Sequence, residues 1–101
     1  MRKPILQRMS EQELKWFCWQ YSAKLSYIRT HTDDTATRYM RDVNAIDTAL
    51  HIVAEGCVHD NLKKHVINRN MPYERLGTVP MGRRQFYDLR TEFYNVLAKI
   101  R

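Results

Sequence analysis

The sequence predicts an all-α fold, and three observations lead there. Three glycines and three prolines are spread over 101 residues, too few breakers for an architecture of strands and turns. Apolar residues recur three and four apart along most of the chain, which is the period of one helix face. Helix-start signals stand ahead of those stripes. Apolar residues make up 44% and charged residues 28%, a globular composition rather than a disordered one. The length suits one compact domain, with residues 1–58 as a helical hairpin for packing and dimerisation and residues 59–101 as a helix-turn-helix part. At this size the core is modest, and pairing with a second copy would support it.

The first helix is read from "SEQELKWFCWQYSAKLSYIR". Ser10 followed by Glu13 fits a capping box. Leu14, Phe17, Tyr21, Leu25 and Ile28 then form one face, widened by Trp16 and Trp19, so the helix is expected to pack on two sides or against a partner. A second helix starts at Thr32 or Asp33, where the pair Asp33–Asp34 suits a helix N-terminus. Its stripe of Tyr39, Val43, Ile46, Leu50, Val53 and Cys57 is close to a heptad seam and predicts a helical hairpin or a dimer contact. Gly56 ends or interrupts it. A third, shorter helix is expected from "CVHDNLKKHVINRN", capped by Asp60, with Leu62, Val66 and Ile67 inward. "MPYERLG" predicts one or two turns, opened by Pro72 and stopped by Gly77. Pro80 forces Val79 into extended geometry, and Gly82 serves as N-cap of a final helix.

That final helix, "RRQFYDLRTEFYNVLAKI", separates sharply into two faces. At roughly 100 degrees per residue, Phe86, Leu89, Phe93, Val96, Leu97 and Ile100 share an arc about 100 degrees wide. Arg83, Arg84, Tyr87, Asp88, Thr91, Tyr94 and Asn95 face away from it. Arg90 borders the apolar arc, within reach of a neighbouring backbone or a phosphate. The outward side chains are types that bond phosphates and base edges.

Charge placement points the same way. Residues 1–60 hold eight basic and eight acidic side chains, and residues 61–101 hold nine basic and three acidic. The whole excess of the +6 net charge therefore lies in the last 41 residues, and a polyanion would meet that end. A short helix, a tight turn and a longer helix with a polar opening face outline a helix-turn-helix. In that motif the second helix enters the major groove by its first turns. Arg83, Arg84, Tyr87 and Thr91 are the expected base contacts. Lys63, Lys64, Arg69, Arg75, Gly82, Arg90 and Tyr94 are the expected contacts to the DNA backbone, with Gly82 leaving room for a phosphate at the helix start.

From "INRNMPYERLGTVPMGRRQFYDLRTEFYNVLAKI" onward the chain resembles the C-terminal half of phage and prophage late-gene transcriptional regulators of the ArpU/RinA-like group, which themselves resemble region four of sigma factors. Pro72, Tyr73, Pro80, Gly82, Arg83, Phe86, Tyr87, Arg90 and Phe93 carry the resemblance. It implies binding to double-stranded DNA near a promoter, with RNA polymerase as a further partner. The N-terminal hairpin is expected to make a homodimer.

Other functions find less support. No window approaches the length of a membrane span, and the basic start "MRKPILQRMSEQE" lacks the apolar run of a signal peptide, so a cytoplasmic protein is expected. Cys18 and Cys57 are expected as buried, reduced thiols. His51, His59, His65 and Cys57 have no metal-ligand spacing. No nucleophile elbow or phosphate-cradling glycine loop occurs. Neither enzyme activity nor a cofactor is expected. Two alternatives stand beside DNA binding. One is a small phage-encoded factor that captures a host protein through the aromatic helix 11–29, since Trp, Tyr and Arg dominate interface energetics. The other is stacking of a single strand on Tyr87 and Tyr94, which needs an open groove that a helical fold rarely offers.

Overall fold

A computed structural model describes residues 10–100. The basic N-terminal stretch before Ser10, read above for a leader, and Arg101 lie outside the described residues. The described residues form five α-helices and no strand: α1 (Glu11–Trp19), α2 (Tyr21–Thr30), α3 (Asp34–Val53), α4 (Gly56–Ile67) and α5 (Arg83–Ile100), with a single 3-10 turn at Tyr73–Arg75.

The first two start signals work as written in the sequence. Ser10 Oγ accepts from Glu13 N at 3.2 Å and Glu13 Oε1 accepts from Ser10 N at 2.9 Å. Asp33 Oδ1 accepts from Ala36 N at 2.9 Å, so Asp33 rather than Thr32 caps α3. The expected single first helix is divided at Gln20, whose N–H donates to Phe17 O at 3.3 Å. Neither glycine nor proline marks the break. Its cause is tertiary: α1 packs on α4 and α5, whereas α2 packs on α3. The pairs Tyr21–Asp47, Lys24–Asp42 and Tyr27–Asp33 step in opposite directions along the two chains, so α2 and α3 run antiparallel.

The α3 seam is filled from within the chain. Val43, Ile46, Ala49 and Leu50 are buried with Leu62 and Val66 of α4 and Phe86, Phe93 and Leu97 of α5. Leu14, Phe17, Cys18 and Tyr21 complete that one core. Tyr39 and Val53 are only half-buried. Cys57 departs from expectation twice, being outside α3 and exposed. The helix ends at Val53, and Gly56, at φ +60°, begins α4. Only glycine adopts that angle without strain. Asp60 is therefore inside α4 and caps nothing.

The two cysteines differ in chemistry. Cys18 is fully buried, and burial pushes its thiol up to about 12 despite the opposing charge of Lys24. Thiolate is the reactive form. A disulfide reagent should titrate one thiol, Cys57, within the mixing phase in native buffer, and the second far more slowly until denaturant is added. Two fast thiols in native buffer would contradict this packing of α1.

Candidate nucleic-acid interface

The connection from α4 to α5 sets how the last helix is presented. The expected short helix at 72–77 amounts to the one 3-10 turn, with Pro72 extended ahead of it and Gly77 at φ +84° behind it. Three side chains hold this segment by backbone carbonyls. Asn61 Nδ2 donates to Thr78 O at 3.4 Å, Tyr73 Oη donates to Met81 O at 2.7 Å, and His65 Nδ1 lies 2.6 Å from Met71 O. A carbonyl only accepts, so the His65 proton sits on Nδ1. Gly82 then caps α5. Its carbonyl accepts from Phe86 N at 3.0 Å, and its N–H donates to Gln85 Oε1 at 3.3 Å. The backbone amides of Arg83, Arg84 and Gln85 keep no partner within the helix, as at any α-helix start, and their side chains are exposed.

The helix is anchored differently from the simple two-faced reading. Phe86, Phe93, Leu97 and Tyr94 are buried, while Leu89 and Val96 are half-buried and Ile100 is 41% exposed. On a wheel of roughly 100 degrees per residue the buried arc is turned by about 60 degrees toward Tyr94. Packing of α1 as well as α3 against α5 is the reason. Tyr94, expected outward as a backbone contact, is only 5% exposed, and burial raises its phenol above the ordinary value. It is withdrawn from the set of phosphate contacts.

The other expected contacts fall into three places. Arg83, Arg84 and Thr91 are exposed on the opening half of α5. Arg83 Nε lies 3.0 Å from Glu74 Oε2, and its guanidinium lies 5.3 Å from the centre of the Tyr87 ring. That ion pair is well exposed and easily exchanged. Arg84 has no ion pair among the described residues. Thr91 Oγ1 donates to Tyr87 O at 3.1 Å. Asp88 and Glu92 share the exposed side of the helix, so the positive potential is concentrated at its start.

Lys63 and Lys64 lie on α4. Lys64 is exposed. Lys63 is not the free phosphate anchor expected of it: Nζ is 3.4 Å from Asp47 Oδ1 and 4.8 Å from the Tyr21 ring centre. Tyr21 Oη also donates to Asp47, at 3.0 Å. The three groups tie α4, α3 and α2 together.

Arg69, Arg75 and Arg90 meet in a cleft of about 590 Å³ bounded by α1, α4, the connecting segment and α5. Trp19, Tyr87 and Tyr94 contribute to its wall. The Arg90 guanidinium lies 4.7 Å from the Tyr87 ring centre and 6.0 Å from that of Tyr94. Its Nη1 is 3.4 Å from His65 Nε2, the nitrogen left as an acceptor by the Nδ1 proton. Burial lowers the His65 pKa, the Met71 carbonyl opposes this, and the Arg90 charge adds to the lowering. His65 is thus a neutral prop for Arg90. Lys15, Trp19 and His65 are not among the expected DNA contacts. Their sequence signal is weak, because the cleft is assembled from segments far apart in the chain.

Among the described residues no group of three His, Cys, Asp or Glu side chains is placed to hold a metal, although His51 and His59 stack with centroids 4.5 Å apart. No described helix is long and apolar enough to cross a membrane. Comparison with protein-family models, with curated proteins and with solved structures finds no match.

Proposed function

We propose that this chain binds double-stranded DNA as a sequence-specific transcriptional regulator of phage or prophage type, acting in the bacterial cytoplasm with the start of α5 in the major groove. The observation that carries the reading is the opening turn of α5, where Arg84 stands exposed and unpaired beside Arg83 while Phe86 is buried beneath it. A firmly seated helix with one free guanidinium at its positive end, and a second held only by an exposed, exchangeable ion pair, suits base readout. Thr91 lies further along the exposed side, and Lys64 is the exposed cation of α4. Tyr87 serves by ordering Arg83 and Arg90 through its ring. The resemblance to late-gene regulators supports the same reading and adds RNA polymerase as a partner. A homodimer on repeated half-sites would have to form without the α3 seam, using exposed residues such as Met40 and Ile52.

Selection from a random duplex library, followed by gel shifts over a salt series, tests this. Arg84→Ala should cost about 1–3 kcal/mol on the selected site and relax its base preference. Lys64→Ala should weaken all duplexes alike and flatten the salt dependence by about one phosphate contact. Failure to enrich any motif, or parental binding by both variants, would overturn the reading.

One observation favours a protein-binding role instead: Trp16 is 64% exposed. The rest of that surface is reduced, since Phe17 and Tyr21 are buried and Trp19 lies beneath the Arg69 guanidinium at 5.2 Å.

A further inference from the structure

We infer that the cleft between α1, α4, the connecting segment and α5 is a binding site for a free nucleoside phosphate, separate from the opening turn of α5. Four cationic side chains line it, Lys15, Arg69, Arg75 and Arg90, and no carboxylate does. Lys15 already has Glu11 at 3.4 Å. The nearby Glu74 is engaged by Arg83. The three arginines have no carboxylate partner among the described residues. Arg69 lies over the Trp19 ring, Arg75 donates to Asn70 O at 3.4 Å, and Arg90 lies between two tyrosine rings. Like charges gathered on one concave surface repel one another unless an anion enters.

Arg90 carries the inference furthest. Its guanidinium contributes to the cleft wall, and its Nε–H is buried with no acceptor, so no protein carbonyl or carboxylate offsets its charge there. Its Nη1 is held by a neutral imidazole, which orients the guanidinium without cancelling its charge. A planar fork of this kind matches phosphate oxygens, and several forks suit a dianion better than a single carboxylate.

The rest of the wall recognises the remainder of a nucleotide. Trp19 and Tyr87 contribute rings to the wall that are already stacked with arginines, and a base entering the cleft would extend those stacks. Asn68 and Asn70 also line the cleft, and carboxamides both donate to and accept from base edges. Asn68 Nδ2 is committed to Lys64 O at 2.8 Å, which leaves its oxygen to accept. A volume of about 590 Å³ falls in the range of small-ligand sites.

The test is tryptophan fluorescence of the full chain carrying Trp16→Phe, so that Trp19 supplies the signal. Adenosine, guanosine, cytidine and uridine 5′-monophosphates are titrated at low salt, with the parent nucleosides and inorganic phosphate as separate arms. At least one monophosphate should quench saturably. Its nucleoside and inorganic phosphate should each bind at least tenfold more weakly. Arg90→Lys, which keeps the charge but loses the fork, should weaken the monophosphate at least tenfold. Arg75→Gln, at an exposed side chain, should do so several-fold without disturbing the fold. Arg84→Ala, at an exposed side chain outside the cleft, should leave it unchanged. No saturable quenching below 1 mM, equal affinity for nucleoside and nucleotide, or parental affinity in both Arg90→Lys and Arg75→Gln would overturn the inference. Duplex binding is measured on the same proteins, so loss of one activity with retention of the other shows which reading fails.

Discussion

Phe86→Ala should unfold this protein more readily than any surface change, costing about 3–5 kcal/mol. Phe86 is fully buried. Its ring centre lies 5.3 Å from that of His65, 5.4 Å from that of Tyr73 and 6.0 Å from that of Tyr87. Removing the ring leaves a cavity at the junction of α4, the connecting segment and the first turn of α5. These neighbours are themselves fixed, His65 by Met71 and Tyr73 by Met81, so collapse around the cavity is limited. For a chain of this size the melting temperature should fall by at least about 12 °C. Thermal denaturation followed by circular dichroism checks it, with Leu89→Ala, at a half-buried position on the same helix, as a milder comparison. A Phe86→Ala protein that melted within about 4 °C of the parent would mean that α5 is not seated by this ring.

Asp42→Ala is expected to be nearly as severe, at about 2–4 kcal/mol, because it strands a buried cation. Lys24 is 8% exposed and its Nζ lies 2.7 Å from Asp42 Oδ2. The ammonium also lies 4.6 Å from the Phe17 ring centre and 5.4 Å from that of Tyr39. Those rings help to hold the charge but cannot replace a carboxylate. Losing one partner of a buried pair costs more than losing both. The double variant Lys24→Met, Asp42→Ala should therefore recover most of the lost stability. Urea denaturation of the parent, the single variant and the double variant measures this. If the double variant were no more stable than Asp42→Ala, the cost would lie elsewhere than in the stranded ammonium.

Lys24 also shows where reading by apolar period stops. It lies three residues beyond Tyr21 and seven beyond Phe17, so it shares their face, but a stripe counted only in apolar residues passes over it. The caps at Ser10 and Asp33 were legible because each depends on a side chain and an amide three residues away. Much of the α3 seam was legible for the same local reason. The break at Gln20 was not, because competing partners for α1 and α2 create it. Asp60 offered a plausible cap, yet the positive φ that glycine allows at Gly56 begins α4 ahead of it. In the candidate interface, the exposure of Arg83, Arg84 and Thr91 followed from the wheel. The burial of Tyr94 did not, because an isolated wheel has no knowledge of α1. The basic cleft was still less accessible, since no local pattern joins Lys15 and Trp19 to Arg75 and Arg90.

The division at Gln20 also bears on the order in which the molecule assembles. The antiparallel α2 and α3 are joined by three residues, a short loop with little entropy to lose on closure. Docking of α1 must wait for α4 and α5, whose positions are set much later in the chain. Local pairs form before distant ones when closure entropy dominates. The first nine-residue helix is then the last piece to settle and a natural first piece to detach, opening as a subglobal unit while the remaining core stays closed. Because Lys15 and Trp19 ride on that helix, its departure would dismantle one wall of the arginine cleft and leave the tip of the terminal helix undisturbed.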